Sequence, residues 1–164
     1  MPNWVRNKVE FGTPNIIKDC IVKEDGKDAF DFNKIDKMPS EIKNTTSPNE
    51  GTPEAQKMKE KYGAENWYDW ACQHWGTKWN ACDTEVIDGT HVIFDTAWST
   101  PKEIFEKLSK KYHTPIKVEF ADECIPENSG IVIYKDGKEV SFKEGDVEFM
   151  DYVWGWVDEY NNEE

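Results

Sequence analysis

The chain has 164 residues, 33 acidic and 20 basic side chains for a formal net charge of −13, and 13% aromatic residues including eight tryptophans. A length near ~150 residues fits one domain, and so many aromatics argue against disorder. No apolar run approaches the ~20 residues that span a bilayer. No cationic segment leads into an apolar run at the N-terminus, and free binding to bare nucleic acid is disfavoured, because phosphate neutralisation needs clustered Lys and Arg.

Trp4 to Phe11 alternates in polarity and predicts a strand; Gly12 ends it. Thr13-Pro14 opens a predicted helix to Lys23 that stops at Asp25-Gly26. Phe30 to Met38 predicts a short strand or extended edge, and the polar stretch Ser40 to Pro53 a mobile loop. Thr52-Pro53-Glu54 starts a helix to Lys61. Asn66 to Trp75 is a strong helix prediction, with Trp67, Trp70, Ala71, His74 and Trp75 at helical spacing and Gly76 just past its end. Asp88-Gly89 predicts a two-residue hairpin turn between strands Trp79 to Ile87 and His91 to Trp98. Thr100-Pro101 with Glu103 begins a helix to about Tyr112. Strands follow at Ile116 to Phe120, Ile131 to Tyr134 and Glu139 to Phe142, then a helix from Asp146 to Tyr160. This order predicts an α+β fold: a ferredoxin-like split βαβ sandwich, a mainly antiparallel sheet with helices on one face, plus an acidic C-terminal hairpin and helix.

Several strings resemble a known family: Met1-Pro2-Asn3-Trp4 with Asn7, Phe30-Asp31-Phe32-Asn33-Lys34-Ile35 before Met38-Pro39, and Tyr62-Gly63-Ala64 with Asn66-Trp67-Tyr68-Asp69-Trp70. Trp75-Gly76-Thr77-Lys78-Trp79-Asn80-Ala81 and Thr96-Ala97-Trp98-Ser99 complete the set. Together they are similar to the YubB-type ferredoxin-like domain family of phages and conjugative plasmids, over Met1 to Glu123. The resemblance implies a ferredoxin-like domain over 1–123 and a mobile-element origin, and it brings no catalytic residues. Cys124 stands where family members commonly have glycine. Residues 124–164 read as an acidic extension packed on the same domain.

Little in the chain suggests chemistry. Nucleophile-elbow, HExxH, Walker and dinucleotide strings are all missing. His74 reads as a packed side chain, His91 as exposed beside the hairpin, and His113 as a helix-end cation. Cys20, Cys72, Cys82 and Cys124 contain no CxxC and read as reduced thiols of a cytosolic protein. Cys72, His74, Cys82 and His91 fit no structural zinc spacing. Asp69, Asp83, Glu85 and Asp95 make a magnesium site conceivable, and a metal-dependent enzyme is one alternative; an exposed acidic sheet face is the commoner outcome. The reading is non-enzymatic, with no cofactor, no metal and no membrane.

Charge is uneven: the first 118 residues hold 19 acidic and 17 basic side chains, the last 46 hold 14 and 3. The acidic stretch is also rich in Val, Ile, Phe, Tyr and Trp, so it reads as folded. Carboxylates on a rigid frame imitate nucleic-acid phosphates and speed association with a basic channel. The leading expectation is therefore a phage- or plasmid-encoded inhibitor, cytoplasmic in its host. It would bind the nucleic-acid channel of a host defence nuclease, of anti-CRISPR or anti-restriction type, with no direct nucleic-acid ligand. Its expected contacts are Glu144, Asp146, Glu148, Asp151, Trp154, Trp156, Asp158 and Glu159. The alternative is a single-stranded nucleic-acid-binding module using Trp residues on a sheet face. A spare apolar row on the last helix also allows a homodimer.

Overall fold

A computed structural model describes residues 2–156. Its elements run β1 (Trp4–Phe11), α1 (Asn15–Cys20), β2 (Ile21–Glu24), β3 (Lys27–Phe30), α2 (Ser40–Lys43), α3 (Pro53–Tyr62), α4 (Trp67–His74), β4 (Cys82–Val86), β5 (His91–Ala97), α5 (Lys102–Lys111), β6 (Ile116–Asp122), β7 (Ser129–Lys135), β8 (Lys138–Glu144) and α6 (Val147–Val153). Six strands form one antiparallel sheet in the order β4-β5-β1-β6-β7-β8. β5 and β6 both pair with β1, so the β5-α5-β6 unit is split by the first strand. That is the ferredoxin-like arrangement, extended on one edge by the β7–β8 hairpin.

Alternation along β1 builds two faces. Val5, Asn7, Val9 and Phe11 are buried towards the helices, where Phe30, Phe32, Phe94 and Phe105 make an aromatic core with Phe30 and Phe94 stacked at 5.0 Å. Asn7 is fully buried, yet its amide bonds Val5 O, Phe94 O and Thr96 Oγ1 and accepts from Thr100 Oγ1, so no polar group is orphaned. The opposite face carries Arg6, Lys8 and Glu10. There α6 packs Phe149, Met150 and Val153 on Ala121 as a second, smaller core.

Four local expectations are corrected. The first helix ends at Cys20, because the β-branched Ile21-Val22 opens a strand; Asp25-Gly26, both at positive φ, is then a hairpin turn between β2 and β3. Phe32–Lys34 forms a 3-10 turn capped by Asp31 instead of a strand. The polar stretch after Pro39 contains α2 and is pinned by buried Ile42, Thr45 and Asn49. The last helix stops at Val153: Gly155 takes a left-handed φ of 78°, and Trp156 N–H and Gly155 N–H return to Asp151 O and Tyr152 O. This six-to-one, five-to-two pair closes a helix end.

Candidate functional site

An open groove of about 900 Å³ lies between the start of α4 and the segments on either side of it. Three local structures set its walls. First, the capped turn at Phe32–Lys34 is followed by a bond from Met38 N–H to Asn33 Oδ1 (3.0 Å), which folds Lys37-Met38-Pro39 into one rim, with Lys43 beyond it on α2. Second, Asn66 caps α4 by accepting from Asp69 N–H and donates to Asn49 Oδ1, while Trp67 N–H donates to Thr45 Oγ1. These bonds fix Trp67 on the groove wall. Third, Gly76 at φ 80° turns the chain after α4 so that Trp75 is buried, its indole donating to Asp36 O at 2.8 Å. Lys78 and Trp79 then return along the far wall. Asn80 anchors that return by accepting from Phe32 N–H and donating to Asp31.

The charge of the groove is opposite to that of the chain. Lys37, Lys43 and Lys78 line it, and no carboxylate does. Nearby acids are already engaged. Asp36 accepts from Lys107 at 2.7 Å and pairs with His74 at 2.8 Å. Burial opposes its charge, but those two hydrogen bonds outweigh it and hold the carboxyl below its ordinary range. Glu41 is bonded by Lys61 and by the Tyr62 hydroxyl, and these bonds lower its pKa. Lys37 and Lys43 form no ion pair among the described residues. The Lys78 ammonium lies 4.5 Å from the Trp79 ring centroid and 4.6 Å from that of Trp98. Ring faces beside free cations suit a flat, negatively charged ligand.

The eight residues expected to meet a partner fall into different settings. Glu144, Asp146 and Glu148 are exposed around the junction of β8 and α6, although Asp146 also caps α6 through Phe149 N–H. Asp151 is half-buried. Trp154 turns inward: its indole donates to Ala121 O at 2.9 Å and Arg6 sits 4.3 Å over its ring. Trp156 is 57% exposed. Asp158 and Glu159 lie outside the described residues. Asp136 and Glu139 sit at the other end of the β7–β8 hairpin from Glu144, with Glu139 about 17 Å away at ~3.3 Å per residue. Asp122 is buried and accepts from Cys124 N–H, Ile125 N–H and Asn128.

The other candidates are structural. His74 stacks on Trp70 at 4.1 Å. Asp95 faces Arg6 in a bidentate pair at 3.0 and 3.2 Å; burial raises its pKa against that pull. Asp83 falls in a register shift of β4 with φ 49°, so it does not share a regular face with Glu85. No group of three or more metal-ligating side chains occurs among the described residues. None of their helices is long and apolar enough to cross a membrane. Nor do the tryptophans sit on a sheet face: among the described residues Trp4 alone lies in a strand. The groove's other lysines, Lys37 and Lys43, were missed in the sequence because they lie far along the chain from Trp67 and Trp79; only the adjacent Lys78-Trp79 signals the site.

The sheet order thus defines a ferredoxin-like domain. Residues 74–163 match the family model described as "Ferredoxin-like domain in Api92-like protein", and the chain belongs to that family. The crystal structure of Api92 from Yersinia pseudotuberculosis is similar at 19% identity and a TM-score of 0.38, over 51% of this chain and 31% of that one. The chain therefore spans less than a third of that protein's length. No curated protein matches the chain.

Proposed function

We propose that this protein is a non-catalytic module that binds single-stranded nucleic acid in the groove between Trp67 and Trp79. One observation carries the reading: in a chain of net charge −13, a groove of about 900 Å³ is lined by three lysines and no carboxylate, beside tryptophan side chains. Bases stack on indoles whatever their sequence, and ammonium groups neutralise the backbone. The test is fluorescence polarisation with a labelled 12-nucleotide DNA or RNA at low salt. Trp79→Ala should weaken binding about 5- to 100-fold, and Lys43→Gln should flatten the salt dependence. Absence of binding by the wild-type protein rejects the reading.

A second reading keeps the inhibitor of a host defence nuclease, carried on a phage or plasmid as the YubB-type resemblance implies. It is favoured by the exposed Glu144, Asp146 and Glu148 beside exposed Val147. Charge with an apolar anchor is what docking into a basic channel requires. Reversal of Glu144 and Glu148 to Lys should abolish inhibition of the target nuclease in that case; full inhibition by this variant sinks it.

A further inference from the structure

Trp98 is held in an unusual way. It lies one residue past β5 with φ 67°, a backbone region that bulky residues rarely adopt. Its N–H donates to Asn3 O and its carbonyl accepts from Asn128 Nδ2, each at 2.9 Å, which fixes the turn. Glycine would take that conformation without strain. The indole is 46% exposed, so core packing does not account for tryptophan here. Strain of this kind concentrates where a side chain must be presented. Tyr68 supports the ring edge-on, at 6.3 Å and 77°.

Trp98 is outside the groove lining, but Lys78 and Trp79 are part of it. The Lys78 ammonium lies almost equally far from the two rings, at 4.5 and 4.6 Å. It therefore joins the groove to a second indole shelf outside its mouth. We infer that the binding site runs out of the groove across Lys78 onto Trp98, so that its ligand is a polymer of at least two linked nucleotides and not a free nucleotide. A base on Trp79 and its neighbour on Trp98 leave their linking phosphate beside Lys78, which exchanges its two ring faces for that phosphate. The inference rests on the groove reading and deepens it.

The test compares labelled dT12 with dTMP, the latter followed by tryptophan quenching, in the wild-type protein and in Trp98→Gly, Trp98→Leu, Trp79→Ala and Lys78→Gln. Circular dichroism confirms folding of each; Trp98→Leu keeps the test alive if the glycine variant does not fold. Loss of the Trp98 ring should weaken dT12 binding about 5- to 100-fold and leave dTMP binding unchanged. Trp79→Ala should weaken both. Lys78→Gln should reduce the slope of log affinity against log salt for dT12 by about 0.7, the value for one phosphate on a single strand. Wild-type affinity for dT12 in both Trp98 variants, with Trp79→Ala impaired, overturns the extension and leaves the groove reading standing. Equal affinity for dTMP and dT12 overturns it as well. No binding of either ligand by the wild-type protein rejects the groove reading itself.

Discussion

The groove and the acidic end of the molecule have opposite relations to the charge written in the sequence. Around the groove, acids and bases are nearly balanced along the chain, but Asp36 and Glu41 are tied up by Lys107, His74, Lys61 and Tyr62, so lysines alone are left facing the cavity. At the acidic end the excess is large, yet Asp122 and Asp146 are occupied by backbone N–H groups, and the exposed carboxylates are split between the two ends of a hairpin. Local potential follows from which charges remain unpaired on one surface, and formal charge is a poor guide to it.

The two regions also have separate cores, and the largest expected effects come from breaking them in turn. Phe94→Ala, at the centre of the main aromatic cluster, should cost about 3–5 kcal/mol and abolish the groove with the fold. Phe149→Ala, in the small cluster that α6 forms with Ala121, should cost about 3 kcal/mol, the low end of the same range. It should raise hydrogen exchange in α6 while oligonucleotide binding stays within about twofold, since α6 contributes nothing to the groove lining. Global unfolding of Phe149→Ala at the same denaturant concentration as Phe94→Ala would show the two cores to be one. Next in size is Asn66→Ala. It removes the α4 cap and the donor to buried Asn49 Oδ1, while Asn49 Nδ2 keeps its bond to Glu65 O, for about 2 kcal/mol by chemical denaturation and a measurable loss of oligonucleotide affinity through Trp67.

The smallest effect separates the regions by pH. Asp36 is held below its ordinary pKa, so its stabilising bonds are complete above the unfolded value near ~3.9 and are lost as pH falls through the lower folded value. Melting temperature against pH should therefore show an acid limb that Asp36→Asn flattens. An unchanged limb would mean that the groove rim does not depend on this residue.

Much of the fold was legible because it is written in short-range patterns. The alternation of β1, the apolar stripe of α5 and the Asn66 start of α4 each specify one structure locally, whereas the expected Thr100 cap of α5 does not form because its hydroxyl bonds Asn7. What was misread depends on distant partners or on a single backbone choice. The order in 40–53 comes from bonds such as Thr45 to Trp67 and Asn49 to Glu65, which no local window contains. The early end of α6 comes from Gly155 adopting a left-handed turn, against apolar spacing that continues past it. For the candidate site, the adjacent Lys78-Trp79 was visible; the approach of Lys37 and Lys43 was not, because the turn at Asn33 and the short α2 bring them in.

The position of β1 governs the order in which the sheet can close. Within the domain this strand precedes the others in sequence, yet it sits mid-sheet, and its two neighbours are β5 at His91–Ala97 and β6 at Ile116–Asp122. Until those segments are available, both of its hydrogen-bonding edges are bare, and bare strand edges invite wrong pairing. The covering contacts of Tyr152 on Lys8 and Trp154 on Arg6 arrive later still. The sheet therefore closes through pairings of long sequence separation, which makes its folding slower than that of locally paired topologies.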